Sequence, residues 1–141
     1  MPDRILDTNI LLAHARGRDL YDKIEAQFAL RASNPAPIIS VVSDGELRAL
    51  ALQFVWGEAR RQEMERQLSY FTAIPLPFSR ILRVYAEIDD FSRRNGVTMG
   101  KNEIWIAATA SVTGTRLLTT DKDFDHLDGV FLSHDWIDPV L

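Results

Sequence analysis

Cysteine is absent from the 141-residue chain, which excludes disulfides and thiolate metal sites. Long apolar runs are absent as well. The longest fall far short of the roughly 18 residues needed to span a bilayer, so no membrane is expected as a partner. Basic residues are not in excess: 16 lysines and arginines stand against 20 aspartates and glutamates, for a net charge of −4. No global basic field therefore marks a protein that coats nucleic acid. A local group of carboxylates remains compatible with a phosphate-rich substrate, because bound divalent cations reverse the sign of such a group. The three histidines, His14, His126 and His134, lack the paired spacing of a zinc hydrolase. Neither a P-loop nor a GxGxxG fingerprint is present to suggest an NTPase or a dinucleotide enzyme. A strand candidate begins within a few residues of Met1, so no secretory leader is expected and the cytoplasm is the expected compartment.

What is present suits one globular domain over residues 1–141, with 46% hydrophobic and 26% charged residues and enough length to bury a core. Arg4-Ile5-Leu6 reads as a short buried strand ending at Asp7. A helix follows through Ile10, Leu11 and Leu12, and Leu20, Tyr21, Ile24 and Phe28 keep helical spacing to about Arg31, where Asn34-Pro35-Ala36-Pro37 forms a turn. Ile38 to Val42 reads as a second strand, and Leu47, Leu50, Ala51 and Phe54 as one face of a helix. Residues 57–71 are densely charged around a sparse apolar row, Met64, Leu68 and Phe71, as in a projecting helix. Ile74-Pro75-Leu76-Pro77 suits only a sheet edge. Phe78, Ile81, Leu82, Tyr85 and Ile88 form an amphipathic helix stopped by Asn95-Gly96. Glu103 to Val112 reads as a buried helix ending at Gly114, and Arg116–Thr119 and Val130–Leu132 as the last strands. Strands alternating with helices predict an α/β fold with a mainly parallel sheet covered on both faces.

Four acids stand at element junctions: Asp7 in ILDTN, Glu46 in SDGELRALA, Glu103 in KNEIWIAATA and Asp121 in LLTTDKDF. Each has an ordinary structural explanation. Asp7-Thr8-Asn9 suits a helix N-cap, Ser43 and Glu46 match a capping box, Glu103 suits the positive end of a helix dipole, and Asp121 and Asp123 suit a polar loop. Burial of the flanking segments argues for more. In a parallel sheet, ligands bind beyond the carboxyl ends of the strands, where Asp7 and Asp121 are expected to meet. Carboxylates converging near a core repel one another unless a cation bridges them. Oxygen ligands without cysteine or paired histidine select a hard ion, Mg²⁺ or Mn²⁺.

ILDTN, GELRALA, KNEIWIAATA and LLTTDKDF occur in an order and spacing that resembles the PIN-domain ribonucleases, especially the VapC-type toxins of toxin–antitoxin pairs, over essentially the whole length. The resemblance implies a three-layer α/β/α sandwich whose acidic pocket binds one or two divalent cations and cleaves RNA. Asp7, Glu46, Glu103 and Asp121 match the family's acidic positions, with Asp7, Glu103 and Asp121 as metal ligands. Asn9 and Thr119 or Thr120 match the polar residues that orient them, and Asp123 is a candidate outer ligand. The family most often has Asp where this chain has Glu103, whose extra methylene reaches roughly 1 Å farther or folds back.

In the mechanism this implies, metal-activated water attacks phosphorus, with Glu46 available to accept a proton or orient the water. Lys101, Lys122 and Arg48 are candidate phosphate contacts, each also readable as a solvated charge. Trp105 suits core packing and Trp56 an interface. The resemblance further implies a homodimer and a small antitoxin partner, for which Met64, Leu68, Phe71 and Trp56 are a candidate surface, with packing inside the domain as the alternative. Two other functions fit parts of the pattern. One is a catalytically impaired PIN module that binds RNA or protein, motivated by Glu103. The other is an aspartate phosphoacceptor domain, which gives no role to Glu103 and Asp121 together.

Overall fold

Short apolar runs and longer amphipathic segments become five parallel strands and six α-helices in the computed structural model, which describes residues 3–75 and 79–141. The strands are β1 (Arg4–Leu6), β2 (Ile38–Ser40), β3 (Thr72–Ile74), β4 (Arg116–Thr119) and β5 (Ser133–Trp136). The helices are α1 (Thr8–Arg16), α2 (Asp19–Phe28), α3 (Val41–Gln53), α4 (Glu58–Leu68), α5 (Ser79–Arg94) and α6 (Lys101–Thr113). The sheet order is β3-β2-β1-β4-β5. Ile5 of β1 is in register with Ile38 on one side and Leu117 on the other. The chain thus winds outward from β1 through β2 to β3, then returns to β1's other edge with β4. That reversal opens a crevice beyond the carboxyl ends of β1 and β4.

Successive strand residues point to opposite faces, and two cores follow. Leu6, Ile39 and Leu118 face α1, α3 and α4, where Ile10, Leu47, Met64 and Leu68 are buried. Ile5, Ile38 and Leu117 face α5 and α6, where Ile81, Ile88, Ile104, Ala107 and Ala108 are buried. The small residues of α6 permit close packing against α5 and the sheet, and Trp105 lies against Tyr85 with ring centroids 4.4 Å apart. This is the expected three-layer arrangement, with Trp105 in a packing role.

Several local readings are corrected. The segment running to about Arg31 is divided: Gly17 takes a left-handed conformation (φ 61°) that ends α1, and α2 ends at Phe28, before a 3-10 turn over Leu30–Ala32. Val41 and Val42 belong to α3 rather than to β2, because Ser40 turns the chain and its hydroxyl caps Val42 N at 3.1 Å. The last strand is Ser133–Trp136 rather than Val130–Leu132, where the chain turns at Gly129 (φ 76°). Helix α4 does not project. It packs on α1, and its apolar row, Met64 and Leu68, together with Phe71 and Trp56, is buried in the first core. The supposed interface is the domain's own interior. Leu76, Pro77 and Phe78 of the proline-containing segment and the following helix lie outside the described residues.

Candidate metal centre

Strand β1 delivers Asp7 to the crevice with its backbone still in the sheet, since Asp7 N–H donates to Leu118 O at 3.0 Å. The same residue is the N-cap of α1, with Oδ1 accepting from Thr8 N at 2.7 Å. The helix-cap reading was therefore correct as local structure, yet it accounts for only one oxygen. Oδ2 accepts from the Thr119 hydroxyl at 2.7 Å, and the residue is 5% exposed. Each carboxylate oxygen retains a free lone pair after these bonds.

Thr119 connects this acid to the next one. Its Oγ1 accepts from Asp121 N at 2.9 Å while donating to Asp7, so one hydroxyl fixes both the loop after β4 and the carboxylate after β1. Thr120 takes no such part. Its carbonyl accepts from Trp136 Nε1 at 2.9 Å, which ties the loop to β5. Asp121 caps the 3-10 turn over Lys122–Leu127 by accepting from Asp123 N at 2.9 Å.

Glu46 is not part of a capping box. Because α3 begins at Val41, Ser43 lies inside the helix, buried and with its hydroxyl unpartnered. Glu46 points instead across to α1, where its Oε1 accepts from the Thr8 hydroxyl at 2.7 Å. Glu103 folds back on its own helix start, with Oε1 accepting from Gly100 N at 2.8 Å. Its Oε2 is buried without a hydrogen-bond partner. Ligand oxygens of Glu103, Asp121 and Asp123 lie within 4.8 Å of one another, with Asp123 itself exposed at the outer side of the group, while Asp7 is not part of it.

Asp7, Glu46, Glu103, Asp121, Asn9 and Lys101 line a cleft of about 660 Å³. Burial, followed by the negative charges of Asp121 and Glu46, pushes the Asp7 carboxyl up to about 6 against the two hydrogen bonds that lower it. Burial also pushes Glu103 up to about 7, with the Gly100 N–H opposing it and nearby Asp123 and Asp121 adding to it. Such groups favour either a shared proton or a cation. An orphaned buried carboxylate oxygen within an all-oxygen donor set fits a hard divalent ion.

The other candidates separate clearly. Asn9 lines the cleft without bonding a carboxylate among the described hydrogen bonds, whereas the neighbouring Thr8 hydroxyl donates to Glu46. Lys101 lies on the cleft wall, and Lys122 sits over the Trp136 ring at 4.5 Å. Arg48 bonds Asp44 at 2.5 Å and pairs with Glu65 of α4, partners that compete with a phosphate for its guanidinium. Sequence reasoning missed Thr8 and Gly100. Thr8 was visible only as a cap neighbour, and Gly100 carries no side chain to signal its role.

Residues 4–130 match the family model described as PIN domain. Ribonuclease VapC5 from Mycobacterium tuberculosis is 29% identical over 126 residues, covering 89% of this chain and 87% of that protein. Among solved structures, VapBC2 from Rickettsia felis, bound to a DNA fragment from their promoter, matches with a TM-score of 0.79 at 19% identity, over 96% of this chain and 98% of the other. VapBC-5 from Mycobacterium tuberculosis, a member of the VapBC family of toxin-antitoxin systems, matches with a TM-score of 0.65 at 23% identity over 96% and 98%. At these identities the structural matches establish the shared fold.

Proposed function

This chain belongs to the PIN-domain family, and from that premise we propose that it is a Mg²⁺- or Mn²⁺-dependent ribonuclease, the toxin of a VapBC-type pair. One observation carries the reading: Glu103, Asp121 and Asp123 bring ligand oxygens within 4.8 Å of one another, Asp7 lines the same cleft as Glu103 and Asp121 without belonging to that group, and one buried Glu103 oxygen is left without a partner. The resemblance to Ribonuclease VapC5 supplies the substrate class.

In this reading Glu103, Asp121 and Asp123 would hold the ion, with Asp7 on the same cleft as a further ligand. A divalent cation held there eases deprotonation of water and offsets the charge that builds on the phosphate. Thr119 and Thr8 keep Asp7 and Glu46 in place before substrate arrives, so little rearrangement is left for the reaction itself. Glu46 sits on the cleft wall, where it accepts or orients the proton of the attacking water. Lys101 meets a phosphate flanking the scissile bond. No side-chain nucleophile is required.

The proposed partner is a small antitoxin that covers the cleft, by analogy with the toxin-antitoxin neighbours, and the proposed compartment is the cytoplasm. Among the described residues no helix is long and apolar enough to cross a membrane. The binding-only alternative was motivated by the length of Glu103. The bond to Gly100 takes up that length, which weighs against it. The test is end-group analysis of single-stranded RNA incubated with the partner-free protein and Mg²⁺ or Mn²⁺. Products with 5′-phosphate and 3′-hydroxyl ends, lost with chelator, support metal-dependent hydrolysis; 2′,3′-cyclic phosphate ends refute it.

A further inference from the structure

Asn9 lines two cavities. One is the acidic cleft, and the other is a separate pocket of about 390 Å³, within the size range of small-ligand sites. Leu12, Arg16, Arg18, Leu20 and Tyr21 wall this second pocket, which reaches Thr120, the residue before Asp121. Asn9, Leu12, Ala13 and Arg16 follow one another at i, i+3, i+4 and i+7, so one face of α1 runs from the acids to Arg16, about 10 Å along the helix axis. Leu12, Leu20 and Tyr21 are half-buried, whereas Arg16 and Arg18 are exposed. Asp19 and Leu141 share the wall, yet no carboxylate pairs with either arginine among the described residues. The guanidinium carbon of Arg16 lies 5.1 Å from the centroid of the Phe54 ring, a contact that steadies the side chain and leaves its N–H groups for an anion.

We propose that this pocket is an RNA subsite. It takes the unpaired nucleotide next to the scissile phosphate, with the base against Leu12, Leu20 and Tyr21 and a phosphate on Arg16 and Arg18. The inference rests on the proposed ribonuclease reading. A strand anchored at the acids by its scissile phosphate is covalently obliged to carry its next nucleotide past a wall of the cleft, and Asn9 is a wall that opens onto a second pocket. The Asn9 amide is free to meet a ribose or phosphate there. Guanidinium groups suit phosphate oxygens, and an apolar pocket of this size receives a base only when it is unstacked, so the RNA recognised is single-stranded. A peptide tail of the proposed antitoxin is the competing occupant. Two arginines without carboxylate partners, beside a centre that acts on phosphate, favour the strand.

Fluorescence anisotropy of labelled oligouridylate with partner-free Asp7→Asn protein and Mg²⁺, in which the strand stays intact, tests this. Three proteins are compared, each checked for folding by circular dichroism: Asp7→Asn alone, Asp7→Asn with Arg16→Gln and Arg18→Gln, and Asp7→Asn with Arg93→Gln and Arg94→Gln. Arg93 and Arg94 are exposed on α5 and pair with Asp89 and Asp90, so they control for loss of charge alone. Removing Arg16 and Arg18 is expected to weaken binding about tenfold or more and to flatten its salt dependence by about 1.4 units of log–log slope, the value for two phosphate contacts on a single strand. Removing Arg93 and Arg94 should do neither. Asp7→Asn alone should prefer oligouridylate over an abasic oligomer of the same length by about tenfold, the size of effect of one base stacked on an aromatic ring, and the preference should shrink without Arg16 and Arg18. Equal binding and equal salt slopes in all three proteins, with wild type cleaving RNA, overturn the inference and leave the ribonuclease reading standing, whatever the arginines do for a protein partner. Equal losses in the two double variants, or equal affinity for the abasic oligomer, overturn it as well. Wild type that cleaves no RNA with Mg²⁺ or Mn²⁺ removes the ribonuclease reading, and the inference with it.

Discussion

The Thr119 hydroxyl lies 2.7 Å from Asp7 Oδ2, joining residues at the ends of the two central strands, β1 and β4, where the strand order reverses. Because Thr119 Oγ1 already accepts from Asp121 N, its single proton is directed at Asp7. Thr119→Val removes that donor at nearly constant volume. A hydrogen bond to a charged acceptor is worth about 1.5–3 kcal/mol, so cleavage is expected to fall roughly 10- to 100-fold, with its pH dependence displaced upward as Asp7 becomes harder to ionise. Thr119→Ser should retain most of the activity. A pH–rate profile of both variants checks this.

The raised Asp7 carboxyl makes the stability of the metal-free protein depend on pH. Its folded value of about 6 exceeds the ordinary value of 3.8, so the folded state binds the proton more tightly than the unfolded one. The resulting stabilisation is fully present below about pH 4 and is lost as pH rises through about 6. Asp7→Asn carries no such charge. With chelator present, the stability of the variant relative to wild type is therefore expected to increase by on the order of 2–3 kcal/mol between pH 4 and pH 7.5. Denaturant unfolding at the two pH values measures it. Added Mn²⁺ should stabilise wild type selectively at the higher pH, where Asp7 and Glu103 are ionised and able to ligate.

Asp7 and Glu103 were legible in the sequence because each borders an apolar segment, Asp7 after Ile5-Leu6 and Glu103 before Ile104-Trp105-Ile106, while Glu46 and Asp121 lie among polar neighbours. Their orienting partners were less legible. Thr119 supports Asp7 across 112 positions of sequence, and whether Thr119 or Thr120 faces the cleft depends on strand parity, which one residue of register reverses. Helix α4 was misread because its few apolar residues resemble a solvated face. Met64 and Leu68 are nevertheless buried at 4% and 8% exposure, since α1 offers them an apolar surface that local periodicity does not reveal. The Ser43–Glu46 capping box failed because the helix begins earlier, at Val41, where Ser40 supplies the cap.

The burial of α4 makes Leu68→Ala a stability variant. Truncating a buried leucine costs about 2–5 kcal/mol, and a substantial fall in thermal midpoint is expected for the isolated protein. Were this row a free docking surface, the midpoint would hold and only partner binding would change.

Lys101 and Arg48 should behave oppositely. Lys101 lies on the cleft wall, so Lys101→Ala is expected to raise KM for RNA and to flatten the salt dependence of binding by about one unit of log–log slope. Arg48 is held by Asp44 and Glu65, and Arg48→Ala should leave KM and the salt slope unchanged. Fluorescence anisotropy with labelled single-stranded RNA across a salt series distinguishes them.

The central claim is that Asp7 and the acids around it form a metal-dependent RNA-cleaving site. It is tested most directly by incubating partner-free wild-type and Asp7→Asn proteins, both verified as folded, with pooled single-stranded RNA in Mg²⁺, Mn²⁺ or chelator. Cleavage by wild type with either ion, abolished by chelator and reduced at least 100-fold in Asp7→Asn, is the predicted result. Equal cleavage by the two proteins, cleavage that persists in chelator, or no cleavage by wild type with either ion would contradict it.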